Sequence, residues 1–157
     1  MTDPTIPADL EDDRITAVGL FLEAQAELVG VLDRELRAAC GLPLKWLEVL
    51  IRLARSPGQT LTASDLARAV VLSSGGATRL VDRLERDGLI QRRPDDGDRR
   101  IVRVALTEHG QAVLASALPA HLDSIDRHLV ASLGADRVKS LAEVSRTLRD
   151  GLAERFP

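Results

Sequence analysis

SSGGATRLVDRLERDGLIQRRPDDGDRRIVRVALT, residues Ser73 to Thr107, is the stretch that decides how the rest of the chain is read. Leu80, Val81 and Leu84 fall at helical spacing, Ser73 can cap the start, and Gly88 closes the end. That predicts a helix from Ser74 that carries Arg79, Arg83 and Arg86. Leu89 to Arg93 and Ile101 to Leu106 then read as two strands. In the second, Val102, Val104 and Leu106 alternate with Ile101, Arg103 and Ala105, which predicts one buried face. The connection, Pro94-Asp95-Asp96-Gly97-Asp98-Arg99, is made of the residues that turns prefer.

Upstream of this stretch, Thr62 with Asp65 three residues on marks a helix start, a weaker form of the capping box. The helix it predicts, Ala63 to Val70, turns Leu66, Ala67 and Val70 inward. Val71-Leu72-Ser73 then makes a tight turn. A short helix, a tight turn, a second helix and a two-stranded hairpin compose a winged helix-turn-helix, an architecture that usually holds DNA. A further helix, Leu44 to Arg55, precedes it, with Leu47, Leu50, Ile51 and Ala54 on its buried side. Ser56-Pro57-Gly58 stops that helix.

The two ends of the chain read as helices. Residues 1–10 are an acidic, Pro-containing tail. From Glu11 to Ala39, apolar residues recur at Ile15, Val18, Leu22, Val29, Leu32 and Leu36, a heptad-like seam widened by Phe21 and Leu28. Cys40-Gly41-Leu42-Pro43 ends the helix. After the cap at Thr107, a helix runs from Glu108 to Leu133, with Pro119 expected to kink it. Ala135 to Arg155 forms the last, with Val138, Leu141, Val144, Leu148 and Leu152 at helical spacing. The expected fold is mainly α with a small β-wing. Residues 43–107 form the winged helix-turn-helix DNA-binding domain, and 11–42 with 108–157 form a helical dimerisation region. The competing arrangement is a bundle within one chain that buries the same faces.

Composition narrows the function. There are two Phe, one Trp and no Tyr, which argues against sheets that stack bases. The single cysteine, Cys40, cannot form an internal disulfide. The N-terminus has no signal-peptide pattern, and no apolar run is expected to approach the ~18 residues of a membrane span. A cytoplasmic, soluble protein with no membrane partner is expected. The chain is at −3 overall, yet Arg79 to Arg103 holds eight arginines against six acids, so +2 there and −5 elsewhere. A local basic face is what nucleic acid requires; a solvated charged face is the plain alternative. No nucleophile elbow, phosphate loop, metal box or carboxylate pair appears, so neither an enzyme nor a cofactor is expected. Asp95-Asp96-Gly97-Asp98 lacks the spacing and final Glu of a calcium loop.

A helix docked in the major groove reads bases with its N-terminal residues. Here these include Ser74, Gly75, Gly76, Thr78 and Arg79. Two glycines in a helix cost ~1 kcal/mol each; they either admit phosphate closely or are simply tolerated in the first turn. Arg79 is the candidate base reader, since a guanidinium can bond both O6 and N7 of guanine. Arg83 and Arg86 either meet phosphate or pair with Asp82 and Asp87. At the wing tip, Asp98, Arg99 and Arg100 suit a minor groove, with Asp98 directing Arg100. The alternative there is an ordinary polar turn.

TRLVDRLERDGLIQRRPDDGDRRIVRVALTEHG, Thr78 to Gly110, closely resembles the MarR family of bacterial winged-helix regulators. The run LVDRLERDGLI, then RR, DRR and LTEHG in that order carries the resemblance. It implies a homodimer with interlocked terminal helices, one winged unit per half of a near-palindromic operator, and repression of a neighbouring gene. It also implies that Arg79 reads bases and that Arg100, oriented by Asp98, enters the minor groove. Many members release DNA when a small phenolic, an oxidant or a metal binds. A winged-helix dimer that works through protein contacts is the alternative function.

The sensor is less legible. Peroxide-sensing members pair an N-terminal cysteine with tyrosines, whereas Cys40 closes the first helix and Tyr is absent. His121 and His128 lie two turns apart without carboxylates set for a metal, so no metal site is expected and polar surface or interface histidines are the default. Trp46 either lines a small-molecule effector pocket between the dimerisation and winged units or is simply packed.

Overall fold

The computed structural model describes residues 8–69, 74–95, 97–98 and 100–155, without the side chains of Ala8, Ala69, Ser74 and Gly75. The expected tail over 1–7, the turn with its Ser73 cap, Val70, Asp96, Arg99 and Phe156 lie outside these residues. A short 3-10 turn, Ala8–Glu11, leads into α1 (Asp13–Cys40). Asp12 caps α1, its carboxylate accepting from the Arg14 amide at 2.8 Å. Gly41 ends it in the left-handed conformation, φ 73°, which glycine adopts without a side-chain penalty.

The next helix, α2 (Leu44–Ala54), starts after Pro43, which has no side-chain hydrogen bond to offer. Asp33 of α1 supplies it, accepting from the Leu44 amide at 2.8 Å. Leu44, Leu47, Val49, Leu50 and Leu53 are buried, whereas Ile51 and Ala54 are only partly so. The inward face is therefore rotated from the expected one, because α2 is enclosed on more than one side.

Three strands form one antiparallel sheet in the order β1-β3-β2, comprising β1 (Thr60–Thr62), β2 (Ile90–Pro94) and β3 (Val102–Leu106). Only β2 and β3 are expected from the sequence. β1 pairs Leu61 with Val104, and β2 pairs Arg92 with Val104 and Pro94 with Val102. As the central strand, β3 is not half-buried in alternation. Val104, Ala105 and Leu106 are all buried at its base, and Val102 is 43% exposed toward the tip. Burial here follows distance from the helical core more than side-chain alternation.

Between β1 and β2 lie α3 (Ala63–Ala69) and α4 (Ser74–Arg86). The Thr62 hydroxyl accepts from the Asp65 amide at 3.0 Å and donates to the Asp65 carboxylate at 2.7 Å, a reciprocal cap. Ala77, Leu80, Val81 and Leu84 turn into the core formed with Leu47, Leu50, Leu66, Ile90 and Val104. Gly88, at φ 71°, ends the helix and turns the chain into β2.

Thr107 caps α5 (Glu108–Ile125), its hydroxyl accepting from the Gly110 amide at 2.9 Å and donating to the Gly88 carbonyl at 2.7 Å. α5 continues through Pro119. Pro119 and Ala115, one turn earlier, face solvent, so water can satisfy the carbonyl that proline leaves unbonded. The helix departs from α geometry later, in a π-turn at Asp126–Val130, and resumes as α6 (Ala131–Leu133). Beside that turn, Glu35 of α1 accepts from Ser124 at 2.5 Å and Arg127 at 2.6 Å, and lies 2.7 Å from His128 Nε2. The last helix, α7 (Ala135–Arg155), presents Leu141, Val144, Leu148 and Leu152 to solvent.

The N-terminal part of α1 is equally uncovered: Ile15, Val18, Phe21, Leu22 and Val29 are exposed, and burial begins at Leu32 and Leu36. With 28 residues and an 18-residue stretch of mean hydropathy 1.6, α1 is long and apolar enough to cross a membrane. This corrects the expectation that no run approaches that length.

Candidate nucleic-acid interface

The burial pattern of α4 sorts its residues into two faces. With Leu80, Val81 and Leu84 fixed in the core, Thr78, Arg79, Asp82, Arg83 and Arg86 are exposed. Arg79, Asp82, Arg83 and Arg86 share the i, i+3, i+4, i+7 spacing of one stripe. The glycines open the helix: Gly75 and Gly76 lie in its first turn, with Gly76 half-buried.

Arg92 of β2 crosses to this helix. Its guanidinium bonds Asp82 Oδ1 at 2.5 Å and also the Glu85 carboxylate, while its backbone amide donates to Glu85 Oε1 at 2.7 Å. That amide, and secondly the guanidinium, hold the Glu85 carboxyl below the usual range. The carboxylate of Asp82, a sequence candidate for pairing with Arg83 or Arg86, thus belongs to a strand arginine instead.

The wing turn is built on Asp95. One carboxylate oxygen accepts from the Gly97 amide at 2.8 Å and the Asp98 amide at 3.2 Å, and the other pairs with Arg103. The Arg103 guanidinium is the main reason the Asp95 carboxyl sits below its ordinary value. Beyond it, Asp98 Oδ1 accepts from the Arg100 amide at 2.9 Å and lies 3.4 Å from Arg100 Nε. The side chain of Arg100 is 93% exposed. The seven described arginines of this stretch therefore divide by exposure. Arg92 and Arg103 are partly buried in ion pairs, whereas Arg79, Arg83, Arg86, Arg93 and Arg100 are exposed.

Trp46 packs partly against the core and lines a cavity of about 390 Å³ with Cys40, Leu42, Asp87, Val113 and Ala117. Cys40 itself is exposed at the end of α1, its Sγ 3.3 Å from the Leu36 carbonyl. A larger cavity of about 620 Å³ was missed from sequence; Phe21, Leu28, Leu32, Leu44, His121 and Leu141 are among its walls. His121 Nδ1 is buried there without a hydrogen-bond partner among the described residues, and burial lowers the imidazole pKa. The only sequence signal was the seven-residue step from His121 to His128, which places both histidines on this cavity. Among the described residues, no group of three or more His, Cys, Asp or Glu is placed to hold a metal.

This geometry has known counterparts. The MarR family profile matches residues 41–101. The transcriptional repressor MprA of Escherichia coli K12 is 29% identical over 140 residues, covering 89% of this chain and 78% of that protein. Among solved structures, Sco3205 of Streptomyces coelicolor, a MarR family transcriptional regulator crystallised in complex with DNA, superposes with a TM-score of 0.81. The two are 29% identical, with 93% of this chain and 92% of that one covered. AbsC, a MarR family regulator from the same organism, gives a TM-score of 0.80 at 28% identity, covering 92% and 97% of the two chains. The family profile covers most of the winged unit and the two structural matches extend over both terminal helices, so that along its length the chain is similar to the MarR family of winged-helix transcriptional regulators.

Proposed function

We propose that the protein is a homodimeric repressor of near-palindromic double-stranded operators, with one winged unit on each half-site and release triggered by a small-molecule effector. Residues 43–107 bind DNA, while 11–42 and 108–157 hold the two copies together. The observation that carries this reading is the paired display of α4 and the wing. Thr78, Arg79 and Arg83 face outward from a helix anchored by Leu80, Val81 and Leu84, and Arg100 stands exposed on a turn braced by Asp98. Ser74, Gly75, Gly76 and Arg99 complete the proposed contact set. The DNA complex of Sco3205 is consistent with it.

The exposed apolar rows of α1 and α7 support the dimer, since monomers rarely leave so much contiguous apolar surface uncovered. A second copy also accounts for the apolarity of α1 better than a bilayer does, because Glu23 and Glu27 interrupt its apolar stretch. The protein then acts in the cytoplasm, without membrane, cofactor or enzymatic activity. Two cavities compete for the effector. The one beside Trp46 is the smaller; the one walled by Phe21, Leu28 and Leu32 adds the unsatisfied His121 Nδ1 as a polar handle.

Footprinting on the DNA upstream of the protein's own gene tests the core of the proposal, repeated with candidate effectors. A protected near-palindrome with half-sites about one helical turn (~34–36 Å) apart is expected. Absence of protection at any salt concentration, with the protein folded, would remove it.

A further inference from the structure

Asp82 is out of place for a DNA-facing helix. It stands within the stripe formed by Arg79, Arg83 and Arg86, one turn beyond Arg79, and Glu85 lies one turn further on. Two carboxylates on or beside that surface would repel phosphates, and they come with the interface.

The residue that meets them comes from the other half of the interface. Arg92 projects from the first strand of the wing and spans both acids with one guanidinium, while its backbone amide bonds Glu85 as well. The Arg92 side chain is 29% exposed, against 48% for Asp82 and 36% for Glu85, so the cluster is half-buried between α4 and β2. A pair shielded from water to this degree is screened less by salt than a fully exposed one.

We propose that Arg92 is a positioning and charge-masking residue: it cancels the carboxylates of Asp82 and Glu85 at the edge of the DNA-facing surface and so leaves Arg83 and Arg86 to act on the phosphates. The same contacts tie the wing strand to the recognition helix, so helix and wing approach DNA as one piece. This inference rests on the DNA-binding reading above.

The test uses the full-length protein and a duplex that the wild type selects from a randomised pool, with affinity measured by fluorescence anisotropy across a salt series. Arg92→Ala is expected to weaken binding roughly tenfold near 50 mM salt. The defect should shrink toward 0.3 M, because the repulsion it unmasks is electrostatic and its screening length falls from ~14 Å to ~6 Å over that range. Adding Asp82→Asn and Glu85→Gln to Arg92→Ala should restore most of the affinity. A purely mechanical role for Arg92 predicts the reverse: a defect that does not depend on salt and that the neutral amides fail to rescue. Either result would overturn the masking role. Should Arg92→Ala fail to fold, Asp82→Asn with Arg92 intact decides the matter. It is expected to bind at least as tightly as wild type, and weaker binding would count against masking. If the wild type selects no duplex, the DNA-binding reading falls and takes this one with it. If the wild type binds and Arg92→Ala binds equally well, only this inference is lost.

Discussion

Asp98 holds Arg100 by its own backbone: the same carboxylate oxygen accepts from the Arg100 amide at 2.9 Å and approaches its Nε at 3.4 Å. The aspartate thus sets both the turn and the direction of the guanidinium. An exposed pair of this kind adds little to stability, so its value lies in aiming Arg100. Arg100→Ala should lower operator affinity and reduce the slope of log K against log salt by about 1, the signature of one lost phosphate-region contact. Asp98→Ala should cost less, and the double variant should bind no worse than Arg100→Ala. Additive losses would mean that the two residues act independently.

Arg79 occupies the second turn of α4, exposed beside the core-facing Leu80. Its expected loss differs in kind from that of Arg100. Arg79→Ala should erase ~1–3 kcal/mol of discrimination at one base pair of each half-site while leaving binding to unrelated DNA nearly unchanged. Competition with single-position operator variants measures this directly. Equal weakening on every sequence would move Arg79 to the phosphate-contacting group.

Gly110 is required for a reason unrelated to DNA. A Cβ at this position would lie 2.0 Å from the Leu89 carbonyl oxygen and 2.9 Å from a Leu106 methyl. The first turn of α5 presses on the start of the wing there, and backbone cannot swing aside as a side chain does. Gly110→Ala should destabilise the fold by ~3 kcal/mol, which lowers Tm by about 10 °C for a chain of this size. A melt within 2 °C of wild type would show that α5 can shift away from Leu89 at little cost.

The winged unit was legible because it rests on local signals. Thr62, Gly88 and Thr107 mark element ends by their own chemistry, and Leu80, Val81 and Leu84 fix which face of α4 turns inward. What was missed depends on partners far along the chain. Thr60-Leu61-Thr62 is too short to read as a strand, and becomes one only because Val104 lies opposite Leu61. The alternation of β3 misled because the core covers both faces of its base and neither face of Val102. Arg92 carries no local mark of its role; only the fold sets it against Asp82 and Glu85.

Glu35 gives the α1–α5 contact a pH dependence. Ser124 first, then His128 and Arg127, bond its carboxylate and lower its pKa from 4.5 to about 2. Because the folded-state value lies below the unfolded one, the native state favours the ionised form. The stabilisation is complete above pH 4.5 and drains as pH falls toward 2. Wild type should therefore melt above Glu35→Gln by a constant margin from pH 7 to 5, and that margin should close over the acid window. Thermal melts of the two proteins in parallel cancel the other carboxylates. A margin that stays constant down to pH 2 would show that Glu35 contributes nothing as a charge.

The proposed dimer makes the strongest demand on α7. Leu141, Val144, Leu148 and Leu152 repeat along one face at helical spacing and are all exposed, Val144 at 65%. A second copy must bury this row if the terminal helices hold the dimer. A charge placed in its middle, Leu148→Glu, then has to enter an apolar contact without a partner, which strongly disfavours association. The variant should sediment as a monomer at concentrations where wild type is a dimer, with unchanged helical content by circular dichroism. Its operator affinity should drop by roughly 100-fold or more, because two half-sites no longer bind through one linked body. If Leu148→Glu remains dimeric and binds as tightly as wild type, the dimer is held elsewhere. The exposed N-terminal row of α1, from Ile15 to Leu22, is then the surface to alter.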